Sequence, residues 1–107
     1  MPRFACLIPI LLAVSSPLAA SPAFTVRIKD YKLLPAKLVF PKGERIELTV
    51  INEGPGTEEI ESNTMRIEKI IPEGKTVKLR IGPLKPGTYD LFGEFNQTTC
   101  IGTVVVE

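Results

Sequence analysis

The sequence predicts a small all-β protein, a Greek-key β-sandwich of about seven or eight strands behind a secretory leader. Three observations carry that expectation. Short runs rich in β-branched and aromatic residues alternate apolar with polar side chains along most of the chain. Turns bearing glycine and proline interrupt these runs roughly every 8–12 residues. Past the N-terminal stretch, no segment shows a helical period.

The leader is read first because it bounds the rest. Met1-Pro2-Arg3 is a short positive start, Phe4–Val14 is apolar without a charge, and Ser15–Ala23 is small and broken by proline. This is the pattern of a signal peptide, too short to span a membrane comfortably. Residues 1–23 are therefore expected to be a leader, cleaved after Ala20 or Ala23, and residues 24–107 a single folded domain. Of the two cysteines, Cys6 goes with the leader and Cys100 is left without an internal partner. A lone thiol in an exported protein is expected to be buried, metal-bound, paired with another protein or reactive.

Composition narrows the function classes. Lys and Arg number 13, one of them Arg3 in the leader, against 12 Asp and Glu, so the domain is balanced in charge. No basic patch interleaved with aromatics points to nucleic acid. The chain has no histidine, which removes the commonest metal ligand and the usual general base at neutral pH. Whether the protein is an enzyme stays open, but any mechanism proceeds without either.

In order, Phe24–Lys29 alternates as a half-buried strand, and Asp30–Pro35 reads as a connector. Lys37–Pro41 is a second short strand, closed by the Pro41-Lys42-Gly43 turn. From Ile46 the alternation is clean, with Ile46, Leu48 and Val50 inward, until the glycine–proline loop after Asn52. Thr57–Glu61 is a short strand poor in apolar residues. Met65 and Ile67 continue the alternation, and Ile70-Ile71 breaks its phase, which suggests a bulge. Thr76–Gly82 points Val77, Leu79 and Ile81 inward. Thr88–Phe95 and Ile101–Val106 form the last two strands, joined by the polar loop Asn96–Cys100. The absence of tryptophan and of a cysteine pair argues against an immunoglobulin domain, whereas a fibronectin-like module fits the same pattern.

Chemistry concentrates in two groups. Glu58, Glu59, Glu61 and Glu68 form the first. Glu59 and Glu61 share one face of a strand about 7 Å apart, at a rise of ~3.3 Å per residue. Carboxylates that close are costly unless water, Arg66 and Lys69, or a hard cation compensates them. Met65 and Cys100 form the second, a thioether and a thiol that suit Cu(I). Each also has an ordinary structural use as a core filler. Glu94 is a further carboxylate near the last loop, and Asn96 reads as an ordinary loop residue.

The C-terminal frame resembles that of a cupredoxin. In that family a tyrosine is followed four residues later by a ligand cysteine, then a ligand histidine three further, and a ligand methionine two before a glycine. Counted from Tyr89, those places fall on Gly93, Asn96 and Cys100, the last two residues before Gly102. The place of the first ligand histidine, after an asparagine- and glycine-bearing loop, falls on Glu58. More narrowly, GPLKPGTYDLFGEFN, EEIES followed by RIEKIIPEG, and the FPKG turn resemble the small periplasmic cupredoxin-like proteins of bacterial iron-uptake systems. Two histidines of that pattern correspond here to Asn63 and Asn96.

This resemblance covers the domain and implies a periplasmic protein that binds a copper or iron ion and serves ferrous-iron or copper transport. It implies two partners, an inner-membrane iron permease and a periplasmic iron-binding protein, and a monomeric or weakly dimeric chain. The implied role is assistance in oxidising ferrous iron before permeation, by outer-sphere electron transfer without acid–base residues. Glu58, Glu59, Glu61 and Glu68 are then the hard-cation ligands, with Met65 and Cys100 as soft ligands if copper is used. Two other readings remain: a Cu(I) carrier using Met65 and Cys100, and a metal-free docking subunit of a transporter.

Overall fold

The computed structural model describes Pro9 and residues 20–107; the rest of the expected leader lies outside the described residues. Among the described residues nine strands are formed: β1 (Ala23–Lys29), β2 (Lys32–Leu34), β3 (Lys37–Phe40), β4 (Ile46–Gly54), β5 (Glu58–Ser62), β6 (Ile67–Ile71), β7 (Thr76–Ile81), β8 (Gly87–Gly93) and β9 (Ile101–Val106). They build two sheets, one of four strands in the order β2-β1-β4-β7 and one of five in the order β3-β9-β8-β5-β6. Two neighbours, β1 with β4 and β3 with β9, run parallel; the other pairs are antiparallel.

Alternation builds the core as the sequence suggests. In β4 the inward residues Ile46, Leu48 and Val50 are fully buried and lie opposite Ile81, Leu79 and Val77 of β7. From the other sheet, Phe40, Ile60, Leu91 and Val104 close against them, and the rings of Phe24 and Phe40 pack with centroids 4.7 Å apart. Truncating a side chain such as Leu48 to alanine would cost about 2–5 kcal/mol through lost burial and a residual cavity.

Three local differences from the sequence reading have simple causes. The Asp30–Pro35 connector contains β2, a strand of three residues that pairs with β1 through Ile28 opposite Leu33. That is too short for periodicity to reveal. Ile70 and Ile71 make no bulge; Ile70 faces outward in regular register opposite Glu59, while Ile71 is buried. Phe95 is not in a strand, because β8 stops at Gly93 and Glu94–Asn96 make a 3-10 turn.

At one end of the sandwich, Asn52 ties these elements together. It is 1% exposed, donates from Nδ2 to the Gly56 carbonyl at 2.9 Å and the Ile71 carbonyl at 2.8 Å, and accepts from Gly54 N at 2.9 Å. Gly54 itself sits at φ +86°, in the left-handed region open to glycine. This single amide shapes the β4–β5 loop and fixes where β5 begins. The consequence is the orientation of Glu58.

Candidate metal centre

β5 divides the four glutamates expected to act together. Ile60 points into the core, so Glu58 and Ser62 point inward with it, while Glu59 and Glu61 point to the outer face of the five-stranded sheet. Glu68 of β6, directly opposite Glu61, joins the outer pair. The expected set of four thus becomes an inner residue and an outer trio, because side chains on a strand change face at every step.

Glu58 is buried against the last loop. Its carboxylate accepts from Glu59 N at 3.0 Å, Phe95 N at 2.8 Å and Asn96 Nδ2 at 2.6 Å. Asn96 is therefore no ordinary loop residue, since its side chain anchors the 3-10 turn to β5. Its carbonyl accepts from Cys100 N at 2.8 Å, which sets Cys100 facing inward. Gly93 completes the group. A Cβ on Gly93 would stand 2.6 Å from Cys100 Sγ and 2.7 Å from Glu58 Cδ, so those two side chains fill the space beside it. Burial and the nearby Glu58 charge push the Cys100 thiol up to about 11, against a smaller downward pull from the Gly93 backbone. At neutral pH it is a protonated, fully buried thiol.

Met65 does not join Cys100. It lies in the turn after Ser62, where its N–H donates to Ser62 Oγ at 3.0 Å, whereas Cys100 packs beside Glu58. Gly93, beside which Cys100 packs, pairs with Ile60 at the middle of β5, while Met65 follows its end at Ser62. Met65 instead packs partly buried against the core.

The outer trio does converge. Glu59, Glu61 and Glu68 each offer a carboxylate oxygen, all within 4.8 Å of one another. Glu59 is only 9% exposed, and its carboxylate accepts no hydrogen bond from a cation or backbone N–H among the described residues. The two ion pairs found there, Arg27–Glu53 and Lys78–Glu47, lie elsewhere. Lys69, expected as a compensating charge, is on the opposite face of β6, opposite Ile60. The Glu61 carboxyl is pushed up to about 7, chiefly by a hydrogen bond with Glu59. Loss of water, a hydrogen bond with Glu94 and repulsion from both neighbours act in the same direction. Such an all-oxygen, negatively charged set suits a hard cation rather than Cu(I).

Asp90 is a polar centre that the sequence reading missed. Its carboxylate accepts from Ser62 Oγ at 2.8 Å, Asn63 N at 3.0 Å, Thr64 N at 3.0 Å and Thr64 Oγ1. Burial alone would raise this carboxyl. The hydrogen bonds from Thr64, Asn63 and Ser62 outweigh it and hold Asp90 well below the usual carboxylate range. Its role is to pin the β5–β6 turn onto β8. A signal was present in the Ser62-Asn63-Thr64 donors, but nothing local linked them to an aspartate 26 residues downstream.

A cupredoxin-like domain profile matches residues 3–106. The chain belongs to the cupredoxin-like domain family. The Rickettsia prowazekii (strain Madrid E) protein RP394 is 37% identical over 81 residues, covering 76% of this chain and 65% of that protein. Among solved structures, the metal-binding domain of the Streptococcus pneumoniae Cu(I)-exporting P-type ATPase CopA, with Cu(I), superposes at a TM-score of 0.72. The identity is 18%, over 79% of this chain and 84% of that one. Auracyanin A, a blue copper protein of Chloroflexus aurantiacus, also gives 0.72 at 11% identity, over 82% of this chain and all of that one. These likenesses establish the cupredoxin-like sandwich.

The cupredoxin frame is present, but its copper donors are not. Glu58, Gly93, Asn96 and Cys100 occupy the four expected ligand places and the structure brings them together. They offer no imidazole, and the place of the ligand cysteine is a glycine whose missing side chain is replaced by packing. The Glu58 carboxylate is already engaged by three N–H donors. This inner set does not fit a blue-copper ion.

Proposed function

We propose that this cupredoxin-like chain is a periplasmic hard-cation-binding protein serving ferrous-iron transport, with Glu59, Glu61 and Glu68 as its cation site. The observation that carries the reading is the convergence of three uncompensated carboxylates, one of them nine-tenths buried, on one sheet face. Repulsion among them is relieved either by a proton on Glu61 or by a cation. Loading the site therefore releases that proton, and affinity rises with pH through about 7. The cation is cargo in this reading. No redox step is assigned to the chain, since the inner place that holds copper in the family lacks the donors. The periplasmic setting, the iron permease and the periplasmic iron-binding protein belong to the proposal through the sequence resemblance.

The Cu(I)-carrier reading draws no support from the geometry, because Met65 is held in the turn after Ser62 while Cys100 packs beside Gly93 and Glu58. Titration of the isotopically labelled chain with Mn(II) tests the proposal. Paramagnetic broadening should be centred on residues 59, 61 and 68 and disappear in Glu59→Gln/Glu61→Gln. Broadening centred on Glu58 and Cys100, or none at millimolar Mn(II), would overturn it.

A further inference from the structure

The same sheet face carries a second property that cation binding does not explain. Ile101 of β9, Phe92 of β8, Glu61 of β5 and Glu68 of β6 are successive cross-strand partners, a single row across four strands. One step along, Ile70 pairs with Glu59 on the same face. Ile70, Phe95 and Ile101 are 57%, 52% and 53% exposed. Large apolar side chains scattered singly over a surface are ordinary, but here Ile70 and Ile101 share one sheet face with the cluster of carboxylates.

We propose that this face docks a segment of another protein that carries lysine or arginine between apolar side chains. The charge pattern selects that occupant. Four glutamates stand here with no cationic side chain of the chain's own paired to them among the described residues; of the two sequence candidates, Lys69 faces the other way and Arg66 makes no ion pair. An ammonium or guanidinium group offsets the repulsion among carboxylates whose oxygens lie within 4.8 Å of one another, while Ile70 and Ile101 give the flanking apolar groups area to cover. An acidic or purely apolar partner would leave the carboxylates desolvated and unpaired. A second copy of this chain, presenting the same acidic face in a two-fold contact, meets like charge with like.

The proposal goes beyond the cation reading and is tested without metal. In buffer containing EDTA, the labelled chain is titrated with two peptides of equal charge, one alternating lysine with leucine and the other lysine with serine. The lysine–leucine peptide is expected to shift the signals of Ile70, Phe92, Phe95 and Ile101 together with those of Glu59, Glu61 and Glu68. It should bind at least tenfold more tightly than the lysine–serine peptide. Raising salt should weaken both, because surface attraction is screened. Ile70→Ser/Ile101→Ser alters only exposed side chains and should remove most of the difference between the peptides. Equal affinity for the two peptides, or shifts spread over other faces, would overturn the proposal. Cation binding could fail while this map appears, so the two readings fall separately.

Discussion

Removal of Glu58 probes what took over the family's copper position. Three N–H donors converge on its buried carboxylate: Glu59 N, Phe95 N and Asn96 Nδ2. Glu58→Ala removes the two oxygens that accept all three hydrogen bonds and opens a cavity beside Cys100. Hydrogen bonds to a charged group contribute about 1.5–3 kcal/mol each, and a donor left buried without a partner costs about 1–3 kcal/mol. Because some donors regain water at the loop, the net loss should be about 3–5 kcal/mol. In a domain of this size that is about 15–30 °C in Tm. Glu58→Gln behaves differently. Its amide oxygen can keep both backbone donors, and Asn96 can turn its amide so that its oxygen accepts from the new NH2 group. The expected cost is then below about 1.5 kcal/mol. Urea and thermal unfolding of the two variants, followed by circular dichroism, measure both numbers. If Glu58→Ala loses less than about 1 kcal/mol, or Glu58→Gln loses as much as Glu58→Ala, the reasoning about this buried anchor is wrong.

Three other outcomes follow from the same geometry. Asp90→Ala should cost about 2 kcal/mol at pH 7, after discounting its hydrogen bonds for partial solvent access. Since folding depresses this carboxyl below its ordinary 3.8, that contribution is complete above pH 5 and fades as pH falls through 3.8, which acid titrations of both proteins would show. Glu61 has the opposite sign: its carboxyl is raised to about 7 in the fold, so wild-type stability drops between pH 4.5 and 7. Glu61→Gln should match wild type at pH 4.5 and exceed it at pH 8 in metal-free buffer, as read by Tm. Cys100, with its thiol near 11, should react with iodoacetamide at pH 8 roughly two-hundredfold more slowly than an ordinary thiol, from its thiolate fraction alone. Burial slows it further, and unfolding in urea should restore the normal rate.

The strands were legible because one sheet face is wet and the other dry, so β1, β4 and β9 write their orientation into alternating residues. β2 was not, because three residues carry no period. For the site, alternation does predict that Glu59 and Glu61 share a face and that Glu58 does not. What it cannot supply is register across strands, and register is what puts Glu68 beside Glu61 and Lys69 on the far side. The link from Glu58 to Asn96 spans 38 residues and depends on β5 having paired with β8 inside the five-stranded sheet, so neither residue announces the other. Pairing Met65 with Cys100 rested on shared chemistry alone, and the two stand on different loops, one after β5 and one before β9.

Anaerobic calorimetric titration with Fe(II) at pH 7.5 tests most directly whether the cation site lies on the outer face of the five-stranded sheet. The account predicts one Fe(II) per chain, binding lost in Glu59→Gln/Glu61→Gln and unchanged in Cys100→Ser. Fe(II) binding that survives the paired glutamate substitution but vanishes with Cys100 would contradict it, and would return the metal to the inner cupredoxin position.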